Sequence, residues 1–162
     1  MARLSVADLP PRAAEIISNH QTEAPVKVGA IARDLGLTVL ISDLPLNISG
    51  ILSRNKPNEN IWTVRVNRHE HKNRQRYTIA HEISHFILHR DAISDKVTDD
   101  KFYRSGLSEK REFEANALAA EILMPWHLIR RLMSQYGSSV ADLAQALEVS
   151  EAAMHIRLGL PT

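Results

Sequence analysis

The chain has 162 residues, enough for one ordinary domain with its own core, and its 44% apolar and 24% charged composition excludes general disorder. A net charge of +1 excludes a strong whole-molecule attraction to nucleic acid or acidic lipid. Cysteine is absent, which rules out disulfides and thiolate ligands: a metal here must be held by His, Asp or Glu, and a reducing compartment is expected.

No stretch approaches the roughly 18–20 apolar residues of a membrane helix, and no signal-type apolar run precedes Asp8 and Pro10. The expectation is a soluble cytoplasmic protein with no membrane partner. In chain order, residues 10–20 predict a short helix, with Pro11 in its first turn and Ala13, Ile16 and Ile17 on an apolar face. A second helix is expected from Val26 to Asp34, ended by Gly36. The period then changes. Leu37–Ile41, Ile48–Ser53 and Ile61–Val66 are apolar or alternating runs that predict strands, and the turn-rich Asn55–Asn60 makes the last two a hairpin.

Beyond residue 70 the pattern is helical. A helix over 73–90 carries Tyr77, Ala80, Ile83 and Ile87 as a core stripe, and the polar stretch 91–107 reads as a loop. Ser108 can cap a helix over 109–123, and Pro125 leads into another that stops at Gly137. Two short helices, Ser139–Leu147 and Ser150–Leu158, close the chain like a helix-turn-helix. The expected division is a metal-site domain over 1–137 with a packed terminal subdomain over 138–162.

The chemistry concentrates in His81-Glu82-Ile83-Ser84-His85. Histidines four apart on a helix project from one face, so both imidazoles can reach one ion, and the intervening Glu82 can act as a base on water at an open coordination position. The competing reading is two polar residues on an amphipathic helix. A compatible third ligand favours the metal. Leu88 and Asp91 stand where a glycine and then a third histidine would follow, so a later carboxylate is needed. Glu112 offers one, with Asn116 on the same helix face to hydrogen-bond a ligand histidine. Glu114 is the weaker alternative, about 200° round the helix from Glu112 and expected to face solvent or a cation.

The runs from Arg76 to His89 and from Glu112 to Pro125 closely resemble the ImmA/IrrE family of bacterial metallo-endopeptidases, where the His-Glu-x-x-His helix is followed by Glu-x-x-Ala-Asn and a Leu-Met-Pro-like end. Leu118 departs from this pattern, standing where an aromatic is common, a matter of packing. The resemblance implies a zinc ion on His81, His85 and Glu112 with Glu82 as the base. It also implies a substrate, a helix-turn-helix repressor or antitoxin whose cleavage relieves repression. Two alternatives from other classes are a toxin-like component acting by binding its regulator, and a helix-turn-helix regulator with a structural zinc site.

Weaker features complete the reading. His89, one turn beyond His85, suits a place behind the ligands, since a fourth protein ligand would close the site. The cluster Arg65, Arg68, Lys72, Arg74 and Arg76 reads as a solvated face, and Glu151, His155 and Arg157 on the last helix carry too little positive charge for direct nucleic-acid binding. Tyr77, Tyr103 and Tyr136 are candidate oxyanion donors. Ile61–Val66 is expected as an exposed edge strand that an extended peptide can join. The fold class expected is α+β and zincin-like (gluzincin-type), a small and largely antiparallel sheet packed on helices, with a C-terminal helix pair.

Overall fold

A computed structural model describes residues 4–56, 59–93, 95–100 and 107–161. Helices α1 (Pro11–Asn19) and α2 (Val28–Asp34) precede strand β1 (Leu37–Ser42). Strands β2 (Ile48–Arg54) and β3 (Trp62–Asn67) lead to the long helix α3 (Lys72–Leu88). A short strand β4 (Lys96–Asp100) follows, then α4 (Glu109–Leu123), α5 (Trp126–Tyr136), α6 (Val140–Leu147) and α7 (Glu151–Leu158). The architecture is α+β, as the periodicities predict. Helix starts are set locally: Ser108, Ser139 and Ser150 each accept a backbone N–H from the third residue on.

The sheet runs β1-β3-β2-β4, with β1 parallel to β3 and the other two pairs antiparallel. The predicted β2–β3 hairpin forms, with Leu52 opposite Val64. Two expectations are corrected. Ile61–Val66 is not an edge: β3 is bonded on both sides and nearly all of it is buried, because the returning β1 strand takes its second edge. The stretch 91–107 is not all loop, since β4 lies within it. Lys-Val-Thr-Asp-Asp has no apolar alternation to reveal it, and its pairing with β2 is what makes it a strand.

One face of the sheet carries α3, with Trp62 meeting Phe86 edge-on at 6.1 Å between ring centres. On its other side α3 packs against α4, so all nine residues from Thr78 to Phe86 are buried. The C-terminal pair joins the same core through Leu143, Leu147, Val149 and Met154. Its attachment is also polar. Arg76 of α3 donates to the carbonyls of Val26 and Glu148, and Arg157 of α7 donates to the carbonyl of Met124. The basic cluster is therefore dispersed: Lys72 pairs with Glu148 and Arg68 with Asp43.

Candidate metal centre

Helix α3 buries polar side chains at His81, Glu82, Ser84 and His85, each 0% exposed. Burying such groups costs free energy unless each has a partner. Ser84 satisfies itself by donating to the carbonyl of Ala80 one turn back. The histidines meet Glu112 of α4. His81 Nε2 lies 3.3 Å from Glu112 Oε2, His85 Nε2 lies 3.0 Å from Oε1, and the two Nε2 atoms are 3.1 Å apart. The i, i+4 spacing stacks both rings on one helix face, and the close α3–α4 contact brings the carboxylate to them.

The group fits a cation. Two ligands on a tetrahedral zinc, each at about 2.0–2.1 Å, stand about 3.3 Å apart; the two Nε2 atoms, 3.1 Å apart, come close to that edge, and each has one oxygen of the Glu112 carboxylate beside it. One ligand atom from each of His81, His85 and Glu112 lies within 4.8 Å of the others. Burial pushes the His85 pKa down, the hydrogen bond it donates to Glu112 opposing the shift, so the ring is held towards the neutral form that a metal requires. Glu82 is a further sign. Neither carboxylate oxygen has a hydrogen-bond partner among the described residues, although both are buried.

Other expected residues fall around this group in ways the sequence did not reveal. Asn116 does not bond a ligand histidine. Its Oδ1 accepts from the Tyr77 hydroxyl at 3.0 Å, and Tyr77 stacks on His81 at 6.4 Å. Asn116 thus reaches the ligand only through an aromatic ring. Burial raises the Tyr77 pKa to about 12, Arg74 opposing and Glu112 adding to it, so the phenol stays a donor. Tyr136 is largely exposed at the end of α5, and Tyr103 lies outside the described residues. His89 Nδ1 lies 2.9 Å from His85 Nδ1, and its Nε2 is 3.3 Å from Glu114 Oε1. Glu114 therefore faces a histidine, at the rim of the α3–α4 contact.

Gly50 of β2 is a site residue the motif search missed. A Cβ there would stand 2.5 Å from Thr78 Cγ2, 3.2 Å from the Arg65 carbonyl oxygen and 3.7 Å from Glu82 Cγ. An isolated glycine within a strand pattern is the signal that marks such a close approach. Beside the centre, a cleft of about 850 Å³ opens between α3, α4 and α7, with Tyr77, Phe113, Asn116, Met124, Val149 and Ile156 in its wall.

Comparison with known proteins gives the family of the chain. The model of the IrrE N-terminal-like domain (Peptidase_M78) matches residues 32–159. The "Radiation response metalloprotease IrrE" of Deinococcus deserti is 37% identical over 90 residues, 52% of this chain and 31% of that protein. Its namesake in Deinococcus radiodurans is 35% identical over 99 residues, 58% of this chain and 29% of that protein. The matched region thus spans less than a third of either relative. A solved structure of a Mycobacterium tuberculosis transcriptional regulator superposes with a TM-score of 0.63, over 91% of this chain and 45% of that one. At 19% identity the likeness is one of fold alone.

Proposed function

The chain belongs to the family of the IrrE N-terminal-like domain, and on that ground and the geometry of its centre we propose that it is a zinc-dependent endopeptidase. The observation that carries the reading is Glu82, a fully buried carboxylate without a hydrogen-bond partner among the described residues, one position along the helix from His81. A site built only to hold a structural ion has no use for such a group, and a hydrolytic site needs a base that is free to take a proton. In this reading His81, His85 and Glu112 hold the ion.

Zinc bound there supplies Lewis acidity, polarising a carbonyl and bringing the pKa of water towards about 7. Glu82 accepts the proton of the attacking water and delivers it to the leaving amine nitrogen, so one carboxylate serves as base and then acid. In this reading Tyr77, protonated and stacked on His81, turns its hydroxyl from Asn116 Oδ1 to donate towards the developing oxyanion. Burial of the histidines, each 0% exposed, keeps competing water from the ligands.

The substrate in this reading is a polypeptide, specifically a helix-turn-helix repressor or antitoxin, and its cleavage alters transcription. An extended segment can join the sheet only at an edge strand, β1 or β4. Of the two, β4 pairs with β2, whose Gly50 abuts Glu82, so β4 is the strand on which a scissile bond is presented. The cleft beside Tyr77 then receives apolar side chains of the same segment. Direct reading of nucleic acid by α7 is disfavoured, because Arg157 is spent on the Met124 carbonyl and Glu121. The toxin-like alternative keeps the same partner and makes binding the active event.

The test is to incubate the zinc-loaded chain with a purified helix-turn-helix regulator encoded beside it. Cleavage by the wild type and none by Glu82→Gln is the expected result. Stable binding by both forms with no cut by either would replace the hydrolytic reading by the toxin-like one.

A further inference from the structure

His81, His85 and His89 stand at i, i+4 and i+8 along α3, with ring centres 4.6 Å and then 5.2 Å apart. His85 is engaged on both sides: Nε2 faces Glu112 and His81, and Nδ1 faces His89 Nδ1 at 2.9 Å. The third ring is itself 6% exposed. Its far nitrogen points to Glu114 Oε1 on α4, a carboxylate whose side chain is 39% exposed.

Proton bookkeeping admits one arrangement once a cation occupies the centre. A neutral imidazole carries a single proton. His85 gives Nε2 to the ion, so its proton resides on Nδ1. That N–H donates to His89 Nδ1, which must be bare. The proton of His89 is then on Nε2 and directed at the Glu114 carboxylate, which accepts. His85, His89 one turn on, and Glu114 of the neighbouring helix thereby define a chain of donors and acceptors from ion to surface. We propose that His89, oriented by Glu114, is a positioning residue that sets the tautomer and ring angle of His85 for metal binding. The inference rests on the proposed ion at His81, His85 and Glu112. Outer partners of this kind typically contribute about 10–100-fold in metal affinity. The 3.3 Å link to Glu114 is the looser of the two, so the carboxylate contributes the smaller share.

The experiment measures zinc affinity of the full chain by competition with a chromogenic chelator, with wild type, His81→Ala, His89→Ala, His89→Gln, Glu114→Gln and the His89→Ala/Glu114→Gln double variant. His89→Ala should weaken zinc binding about 10–100-fold. His89→Gln should recover most of that loss, since its amide oxygen can accept from His85 Nδ1. Glu114→Gln should weaken binding by less. The double variant should bind no more weakly than His89→Ala, because Glu114 acts only through His89. Nitrogen NMR of the zinc-loaded wild type should find His89 protonated at Nε2 and bare at Nδ1.

Zinc binding lost in His81→Ala yet unchanged in His89→Ala, or a proton on His89 Nδ1, overturns the relay alone. No zinc binding by the wild type removes the metal reading and the relay with it. Should His89→Ala fail to fold, the half-exposed Glu114→Gln and the NMR tautomer still decide.

Discussion

Gly50 of β2 lies against Glu82 of α3 so closely that a Cβ on the glycine would come within 3.7 Å of Glu82 Cγ and 2.5 Å of Thr78 Cγ2. The strand that receives β4 on its other side is thus also the strand that sets how near the helix stands. Thr78 is β-branched and buried, and the Arg65 carbonyl closes the third side at 3.2 Å, so nothing nearby yields easily. Gly50→Ala should cost about 1–3 kcal/mol of stability and lower the proposed peptidase activity, because Thr78 must move and it lies one turn from Glu82 on the same helix. Denaturant unfolding with a parallel cleavage assay checks both, and a fully stable, fully active variant would show that the contact is slack.

Glu82 gives the opposite stability effect. Its carboxylate is buried and has no hydrogen-bond partner among the described residues. Without metal, Glu82→Gln should leave the fold at least as stable, because the replaced carboxylate is buried and makes no hydrogen bond that the variant would lose. The proposed hydrolysis should fall by about 10²–10⁴-fold, the usual contribution of a positioned acid–base group. A marked loss of stability in this variant would mean that the carboxylate holds the fold rather than a water.

Metal should couple to stability through the three ligands. Zinc at about 100 times its dissociation constant adds about 2.7 kcal/mol if it binds only the folded chain. A rise in Tm on adding zinc, reversed by chelator and missing in His81→Ala, is the expected pattern. Equal rises in wild type and His81→Ala would place the ion elsewhere.

Arg157 fastens α7 to the metal-site helices. Its Nε donates to the Met124 carbonyl at 2.9 Å, Nη1 pairs with Glu121 at 3.2 Å, and the guanidinium lies 4.8 Å from the Trp126 ring centre. Its side chain is 8% exposed and that of Glu121 19%, so truncation leaves a partly buried carboxylate without its cation. Arg157→Ala should cost about 3 kcal/mol and open residues 138–162 to protease. Arg157→Lys should not restore the clamp, since an ammonium cannot make the planar set of contacts. Recovery by lysine would reduce the interaction to simple charge.

Glu148 carries a pH dependence and a backbone oddity together. It ends α6 in the left-handed region at φ 53°, where glycine is usual. The hydrogen bond from Lys72 at 2.8 Å holds its pKa below the ordinary carboxylate value, with Arg76 and Lys72 charge assisting and burial opposing. A depressed pKa in the folded state means the unfolded chain binds the proton more readily. The contribution is therefore present above about pH 4.5 and fades as pH falls through the lower folded value. The pair is partly exposed and contributes about 0.5 kcal/mol. Glu148→Gly, which relieves about 1 kcal/mol of backbone strain, should be near neutral, and Glu148→Ala should destabilise. Unfolding curves at pH 7 and pH 3 separate the effects, with the gap between wild type and Glu148→Gly shifting in favour of glycine at low pH. An unchanged gap would assign no role to the ion pair.

The sequence alone settled what depends on near neighbours along the chain. Histidines four apart share a helix face, serine caps start α4, α6 and α7, apolar runs make β1 and β2, and a period-two run makes β3. His81, His85 and Glu112 could be named as candidates because the histidines lie four apart on one helix and Glu112 lies in a second helical run, and the structure brings the three together. Tertiary structure decided what depends on which surfaces meet. β3 became central because β1 returned parallel to it, and β4 became a strand only by pairing with β2. Asn116 met Tyr77, and Glu114 met His89, because the packing of α3 on α4 sets the reach of each side chain. Local periodicity fixes the direction of a side chain around its own helix, and it carries no information about the distance to the next one.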